Sequence, residues 1–573
     1  MANFRKLACG LMALTFIGSA FAGCGQTSGN GGDSTKTKIM VMNTGGGIGR
    51  VWLDEAIKRF SDLKKNESYE DGKTGVEFEV EHNLATGVGT MQTAGYNVYF
   101  DGDSPMAKSL AADGRVLNIN DIVTEQDSTG SSIESRIDAS YRGQLKGQDG
   151  EYYVLPHFAH GVQVSYDISR FTEDDLYFAA PDADKDSVEE FNSKYGSAKF
   201  AMTSIDPDVK KSCGNDGEYG TYDDGLPTSL VEFIILCARM QKVGIQPMHL
   251  SGKSMGYNYM FVEALWASLG GYEETMAKYN YTGTVKIVDG EPTSDNLFEG
   301  IDYIKKVNTK SVEIDLGTGY LANDSAARYY AIAMLEIMEN EGWFSDYSYE
   351  GNNTHTDAMW NFISNGRNGV EKLGMFIEGD YWYNEARDND KIKNFNKLCP
   401  GEDINIGMMP LPTSVYESVV PGKGRELCNL ADSGRAYAFI NANISDKPGL
   451  VRACKEFLQF CYSQEELDYF TAYTGVARSG IKVNNIKQGD VPTDMYLGGS
   501  NYAKSKIALW TASNVKNVWA MQTEYYNGDL NIPVIEGVKY GSPLKAIRDA
   551  ESTAWTVFDV TRTRKSGWGV TNL

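Results

Sequence analysis

The stretch KIMVMNTGGGIGRVWLDEAIKRFSDLKK, residues 38 to 65, constrains the fold more than any other part of the chain. Ile39 to Met42 is a short, continuous apolar run, as a strand covered on both faces requires. Leu53, Ala56, Ile57, Phe60 and Leu63 then recur at helical spacing. This is a strand, a glycine loop and a helix. In VEFEVEH (76–82), Val76, Phe78 and Val80 alternate with Glu77, Glu79 and Glu81, a half-buried strand with one acidic face. The segment from 95 to 121 adds a strand, an acidic turn at Asp101 to Asp103, and a helix. Alternating strands and helices imply parallel sheets, with ligands bound beyond the C-terminal ends of the strands.

Upstream, Arg5 and Lys6 form a positive region ahead of the apolar run Leu7 to Phe21, which is too short for a typical spanning helix and suits a secretion signal. Phe21-Ala22-Gly23-Cys24 resembles the bacterial lipobox, in which the cysteine is lipidated and becomes the mature N-terminus; Phe21 stands where leucine is usual. Two acyl chains, at about 0.8 kcal/mol per buried methylene, suffice for stable anchoring. Gly25 to Thr37 reads as a flexible tether. The expectation is a signal peptide over 1–23, a tether over 24–37, and a folded body held at the extracellular face of a membrane.

The chain carries 54 Lys plus Arg against 77 Asp plus Glu, a net charge of −23, which disfavours a nucleic-acid partner and anionic ligands in general. No later segment approaches the length of a spanning helix; the strongest apolar run, Leu230 to Ala238, is interrupted by Glu232 and reads as buried helix. About 550 mature residues exceed what one core organises, so two or more lobes are expected. Of the 8 cysteines, Cys9 leaves with the signal and Cys24 takes lipid. The remaining Cys213, Cys237, Cys399, Cys428, Cys454 and Cys461 are too few for a disulfide framework, although Cys399 with Cys428 would make a loop staple. Cys454 and Cys461 share a helical face but lie too far apart along it to bridge.

Gly45, Gly47 and Gly49 sit between strand and helix, but the dinucleotide fingerprint fails because Arg50 holds its last place. SGKS (251–254) fails as a phosphate loop because Pro247 replaces its first glycine. Gly252-Lys253-Ser254-Met255-Gly256 does match the nucleophile-elbow pattern between an apparent strand and helix, with only His355 downstream as base. Ser254 therefore defines the enzyme alternative, a serine hydrolase; the favoured reading has no catalytic residue. His157 and His160 are three apart. Asp182, Asp184 and Asp186 begin like a calcium loop but lack its glycine and final glutamate, so neither a metal nor any other cofactor is expected.

GEYYVLPHFAHGVQVSYDISRF (150–171), YDDGLPTSLVEFIILCARMQKVGIQP (222–247), EKLGMFIEGDYWYNEA (371–386), INIGMMPLP (404–412) and AYAFINANISDKPGLVRACKEFLQFCYSQEEL (436–467) occur in this order. Together with the lipobox they resemble the extracellular solute-binding proteins of carbohydrate ABC importers, the large lipoprotein type. The local chemistry agrees: Ser445 or Asp446 would cap a helix with Pro448 in its first turn, and Ser463 with Glu466 would form a capping box. The resemblance implies an α/β, two-lobe, periplasmic-binding-protein-like clamshell of type II, each lobe a mostly parallel sheet flanked by helices. Lobe one would comprise 38–156 and 436–490, lobe two 157–435 and 491–573, with crossings near Leu155 to Gln163, near Leu430 to Ala436 and near 485–500. It also implies a monomeric receptor that closes on a carbohydrate and passes it to ABC permease subunits. A peptide is the alternative solute.

A pyranose presents an apolar C–H face for an aromatic ring and a hydroxyl rim for polar side chains. EGDYWYNE (378–385) places Tyr381, Trp382 and Tyr383 beside Asp380, Asn384 and Glu385. Trp382 is the first choice as stacking platform. Asp101 and Asp103 end a first-lobe strand, His157 lies at the first crossing, and Trp52 opens the first helix. Trp343, Phe344 and Trp360 would extend the site toward an oligosaccharide, and Arg478 falls where the family returns a loop to the cleft.

Overall fold

The computed structural model describes residues 35–82, 95–102, 107–158, 161–184, 188–193, 196–253, 256–280, 282–290, 292–315, 318–367, 369–432, 436–476, 478, 480–481 and 506–510. The chain opens with β1 (Thr37–Asn43), α1 (Val51–Leu63), β2 (Val76–Glu81) and β3 (Val98–Asp101), the expected strand–loop–helix pattern. It reaches β4 (Leu155–Pro156), the last strand of the first sheet before the chain leaves it, and enters β5 (Val162–Asp167) in the second. The second lobe continues through α2 (Leu230–Lys242), β6 (Gln246–His249), α3 (Gly256–Asn280), β7 (Leu373–Gly379), α4 (Trp382–Asp388) and β8 (Ile406–Met409). β9 (Tyr437–Ile440), α5 (Pro448–Cys461) and α6 (Gln464–Thr474) return to the first.

The first sheet has the order β2-β1-β3-β9-β4 and the second β8-β5-β7-β6. β1 pairs in parallel with β2 and β3, whereas β9 runs antiparallel to both β3 and β4. In the second sheet only the β7–β6 pair is parallel. The mostly parallel expectation thus holds for β1 to β3 and for β6 with β7, and fails at the other pairs of the two sheets. The strands adjoining the crossings, β4, β5 and β9, enter their sheets without a helical crossover, and only such a crossover brings a strand back in the same direction.

Each lobe has its own core. In the first, Trp52, Leu53, Ala56 and Phe60 of α1 turn inward, and the Phe60 ring meets Phe457 of α5 at 5.1 Å. In the second, α2 is buried from Phe233 to Met240 and starts on a full capping box between Ser229 and Glu232, in line with the buried helix read from its apolar run. α3 changes direction at Gly271, whose φ of 77° breaks the helix. Among the described residues, no helix is long and apolar enough to cross a membrane.

Three local expectations are corrected. Neither Ser445 nor Asp446 caps α5: Lys447 precedes Pro448, which has no N–H to satisfy. At α6, Ser463 accepts from the Glu466 amide, but the Glu466 carboxylate goes to Arg59 at 2.7 and 2.8 Å instead of closing the box. The Cys399–Cys428 staple does not form. Neither is in a disulfide: Cys399 packs with Phe395 and its neighbours and Cys428 with Ala267 in a separate cluster, and Cys454 and Cys461 are likewise buried and not disulfide-bonded.

Candidate ligand site at the lobe seam

After Asn43 the backbone coils through the glycine loop. The Gly49 amide returns to the Gly45 carbonyl at 3.2 Å, and the Asn43 side-chain amide donates to the Gly49 carbonyl at 3.2 Å. Gly47 has φ +78°, which side chains rarely adopt, and a Cβ there would stand 2.8 Å from the ring of Tyr381 in the other lobe. Glu385 Oε1 accepts from the Gly47 amide at 3.0 Å. The loop, whose glycines fail the dinucleotide fingerprint, is the seat on which the start of α4 rests.

Beside the loop, Thr44 connects two strand ends. Its hydroxyl accepts from the Gly102 amide at 2.9 Å and donates to Asp101 Oδ1 at 3.4 Å. His157 follows β4 and is fully buried. Its Nδ1 accepts from Arg478 Nη1 at 2.7 Å, which places the ring proton on Nε2. Burial first, and then the Arg478 charge, hold this imidazole well below its usual range, so it is neutral. The Arg478 guanidinium lies 4.0 Å from the Phe470 ring centroid, 4.4 Å from Tyr462 and 4.9 Å from Trp52. Trp52 in turn stands 5.0 Å from Phe100 and 5.6 Å from His157. Trp52, His157 and Arg478 are therefore brought together, but as one packed block; Trp52, at 3 % exposure, offers no free face. Phe158 continues the block toward the seam, its ring 6.3 Å from Tyr381.

From lobe two, β7 delivers a set of carboxyls. Every residue of that strand is buried, including Glu378, whose Oε1 accepts from the Gly379 amide while its Oε2 has no hydrogen-bond partner. Asp380 Oδ2 accepts from the Gly161 amide at 3.2 Å, and its Oδ1 is buried and unbonded. Burial raises Asp380 to about 8, so it is largely protonated at neutral pH and able to donate.

The three consecutive aromatics separate. Tyr381 packs into the first-lobe cluster at the seam. Trp382, expected as the platform, is wholly buried in lobe two: its Nε1 donates to Ser165 Oγ at 2.8 Å, and Phe362, Phe376 and Tyr383 surround it at 5.3 to 5.9 Å. No surface is left for a sugar. Tyr383 is buried in the same cluster, and Asn384 donates to the Thr474 carbonyl of α6. Trp343 is also wholly buried, in the main second-lobe core with Phe344, so it does not extend the site; Trp360 is half-buried beside the Trp382 cluster.

Asp103, His160, Cys24 and Ser254 lie outside the described residues. Asp182 forms an exposed ion pair with Lys210 at 2.7 Å, and among the described residues no three potential ligands cluster around a metal position. Phe158 and Glu378 were not singled out from sequence, and Gly47 only as a member of the glycine loop. Glu378 had a signal: it is a lone charge ending the apolar run of β7, at the strand end where α/β sheets bind ligands.

No family model and no curated protein matches the chain. Solved structures do. One, from work on xylan utilisation by the thermophilic bacterium Caldanaerobius polysaccharolyticus, is 13% identical over 90% of this chain and 99% of its own, with a TM-score of 0.50. A chitin oligosaccharide binding protein is 13% identical over 91% and 98%, with a TM-score of 0.49. The binding protein RafE in complex with raffinose is 14% identical over 90% and 98%, with a TM-score of 0.48. The chain has the two-lobe α/β fold of the periplasmic-binding-protein-like class.

Proposed function

We propose that this chain is an exported, lipid-anchored receptor that captures a carbohydrate between its lobes and delivers it to ABC permease subunits without catalysis. The observation that carries the reading is the seam. An aromatic ring from lobe two, Tyr381, meets the first lobe beside Asp380, a buried carboxyl with an unbonded oxygen. Tyr381 is itself only 6 % exposed, with Gly47 against its ring, so on this reading its face meets a pyranose only when the lobes part, with Asp380 beside it as a polar group with spare hydrogen-bonding capacity. The fold it shares with a protein from xylan utilisation points the same way. On this reading Tyr381 replaces Trp382 as the platform, Asp101 and Asp380 take hydroxyls, and the Trp52–His157–Arg478 block stiffens the wall behind them. Lobe one comprises 38–156 and 436–490, lobe two 157–435 and 491–573, and Cys24 carries the lipid.

A thermal-shift screen of the mature chain against mono- and oligosaccharides tests this. A ligand at 100 times its dissociation constant stabilises the folded state by about 2.7 kcal/mol. One glycan class should raise the melting temperature, and Tyr381→Ala should abolish the shift while the unliganded protein stays folded. If no glycan shifts the melting temperature, the sugar assignment fails. A shift that survives Tyr381→Ala removes the platform.

A further inference from the structure

Asp380 follows the last residue of β7 and continues its pairing: Gly379 faces Val162, and the Asp380 amide donates to the Gly161 carbonyl at 3.0 Å. That backbone bond fixes where the side chain starts. The carboxyl is 5 % exposed and takes the Gly161 amide on Oδ2, while Oδ1 is buried and unbonded, next in sequence to the Tyr381 ring. Two residues earlier, Glu378 also keeps an unbonded oxygen. Among the described residues, no lysine, arginine or histidine bonds to either carboxyl. The cations at the seam are engaged elsewhere. Arg478 donates to His157 and lies among the rings of Phe470, Tyr462 and Trp52 at 4.0 to 4.9 Å, itself 3 % exposed. Arg387 stands 3.6 Å from Asp388, and the charge of Arg50 falls on that same carboxylate.

We propose that the site takes a sugar carrying a free amine, with the ammonium seated at Asp380, and turns uronic acids away. This rests on the receptor reading above and narrows it to a substrate class. A carboxyl taken out of water without a cation is costly to ionise, because burial disfavours the charged form. Burial is what raises Asp380, with backbone amides alone opposing it. An ammonium supplies both missing parts. It brings the opposite charge, which within about 4–6 Å favours the ionised carboxylate. It also brings three donors and no acceptor, against an ionised carboxylate that only accepts. A neutral hydroxyl brings one donor and no charge. A uronate would add a negative charge beside Asp380 and Glu378, where the neighbouring cations already have partners. Once the lobes part, Tyr381 covers the C–H face of the ring and the adjoining carboxyl holds the amine. The net charge of −23 adds a long-range attraction for cationic ligands.

Titration calorimetry of the mature chain with three oligosaccharide series tests the class: glucosamine oligomers, their N-acetylated counterparts, in which the amine is an uncharged amide, and glucuronic acid oligomers. At a pH where the amine is charged, the glucosamine series should bind at least about tenfold tighter than the N-acetylated one, as one hydrogen bond to a charged group allows. The glucuronates should not bind. Asp380→Asn keeps the shape of the side chain without its charge and should bring the first two series together. N-acetylated oligomers that bind as tightly as the free amines, glucuronates that bind, or a preference that survives Asp380→Asn overturns the proposal. Should Asp380→Asn not fold, the salt response of the wild type decides: added salt must weaken the glucosamine series more than the N-acetylated one, and an equal response is equally fatal. Neutral sugars that bind while the amines do not leave the receptor reading standing and sink the amine; binding of no glycan at all sinks both.

Discussion

Gly47 shows how much a single residue decides at the seam. Its positive φ belongs to the region where a side chain costs roughly 1–2 kcal/mol, and the Tyr381 ring occupies the position its Cβ would take. Gly47→Ala therefore strains the loop locally and pushes the ring out of its seat, while the first-lobe core stays untouched. Ligand affinity should fall at least about tenfold, the equivalent of 1.4 kcal/mol, with far-ultraviolet circular dichroism unchanged; titration calorimetry giving wild-type affinity would refute the role of the seat. The sequence showed that a glycine loop lay here, but the reason for it lies more than 300 residues downstream, in a side chain donated by the other lobe. Tyr381 and Trp382 illustrate the same limit. Successive side chains at a helix start point about 100° apart, so one ring reaches the seam and its neighbour enters the core, and composition alone does not tell which.

Among the elements, α6 separates local signals from tertiary ones. Ser463 was legible as an N-cap because a cap is made within three residues of chain. The destination of Glu466 was not, because its partner Arg59 sits on α1 across the lobe. The two contacts differ in strength. Ser463→Ala removes one hydrogen bond at a helix end and should cost about 1 kcal/mol. Glu466→Ala leaves Arg59 without the nearly buried carboxylate that accepts two of its hydrogen bonds, and should cost roughly 3 kcal/mol. Urea denaturation of both variants orders them, and equal midpoints would show that the capping bond alone holds the helix. The strands divide in the same way: β1 to β3 declared themselves through local periodicity, whereas the antiparallel direction of β9 depends on a return from the far lobe, which no short window of sequence records.

For the whole molecule, the division into two cores followed from chain length, and each core gathers segments that are remote in sequence. The proposed site lies where those cores meet, so its walls were visible from sequence only as separate candidates. Charge acts at this same scale. A net charge of −23 makes self-repulsion a property of the entire surface, not of any one pair. Raising the ionic strength from about 0.01 M to about 0.1 M shortens the screening length from about 30 Å to about 10 Å. That is enough to silence repulsion across a lobe while sparing contacts such as Arg59 with Glu466. The melting temperature of the unliganded protein should therefore rise over this range, and equally with sodium and potassium chloride, since screening ignores ion identity. A melting temperature that falls would mean that attractive pairs, not the net charge, dominate the surface electrostatics.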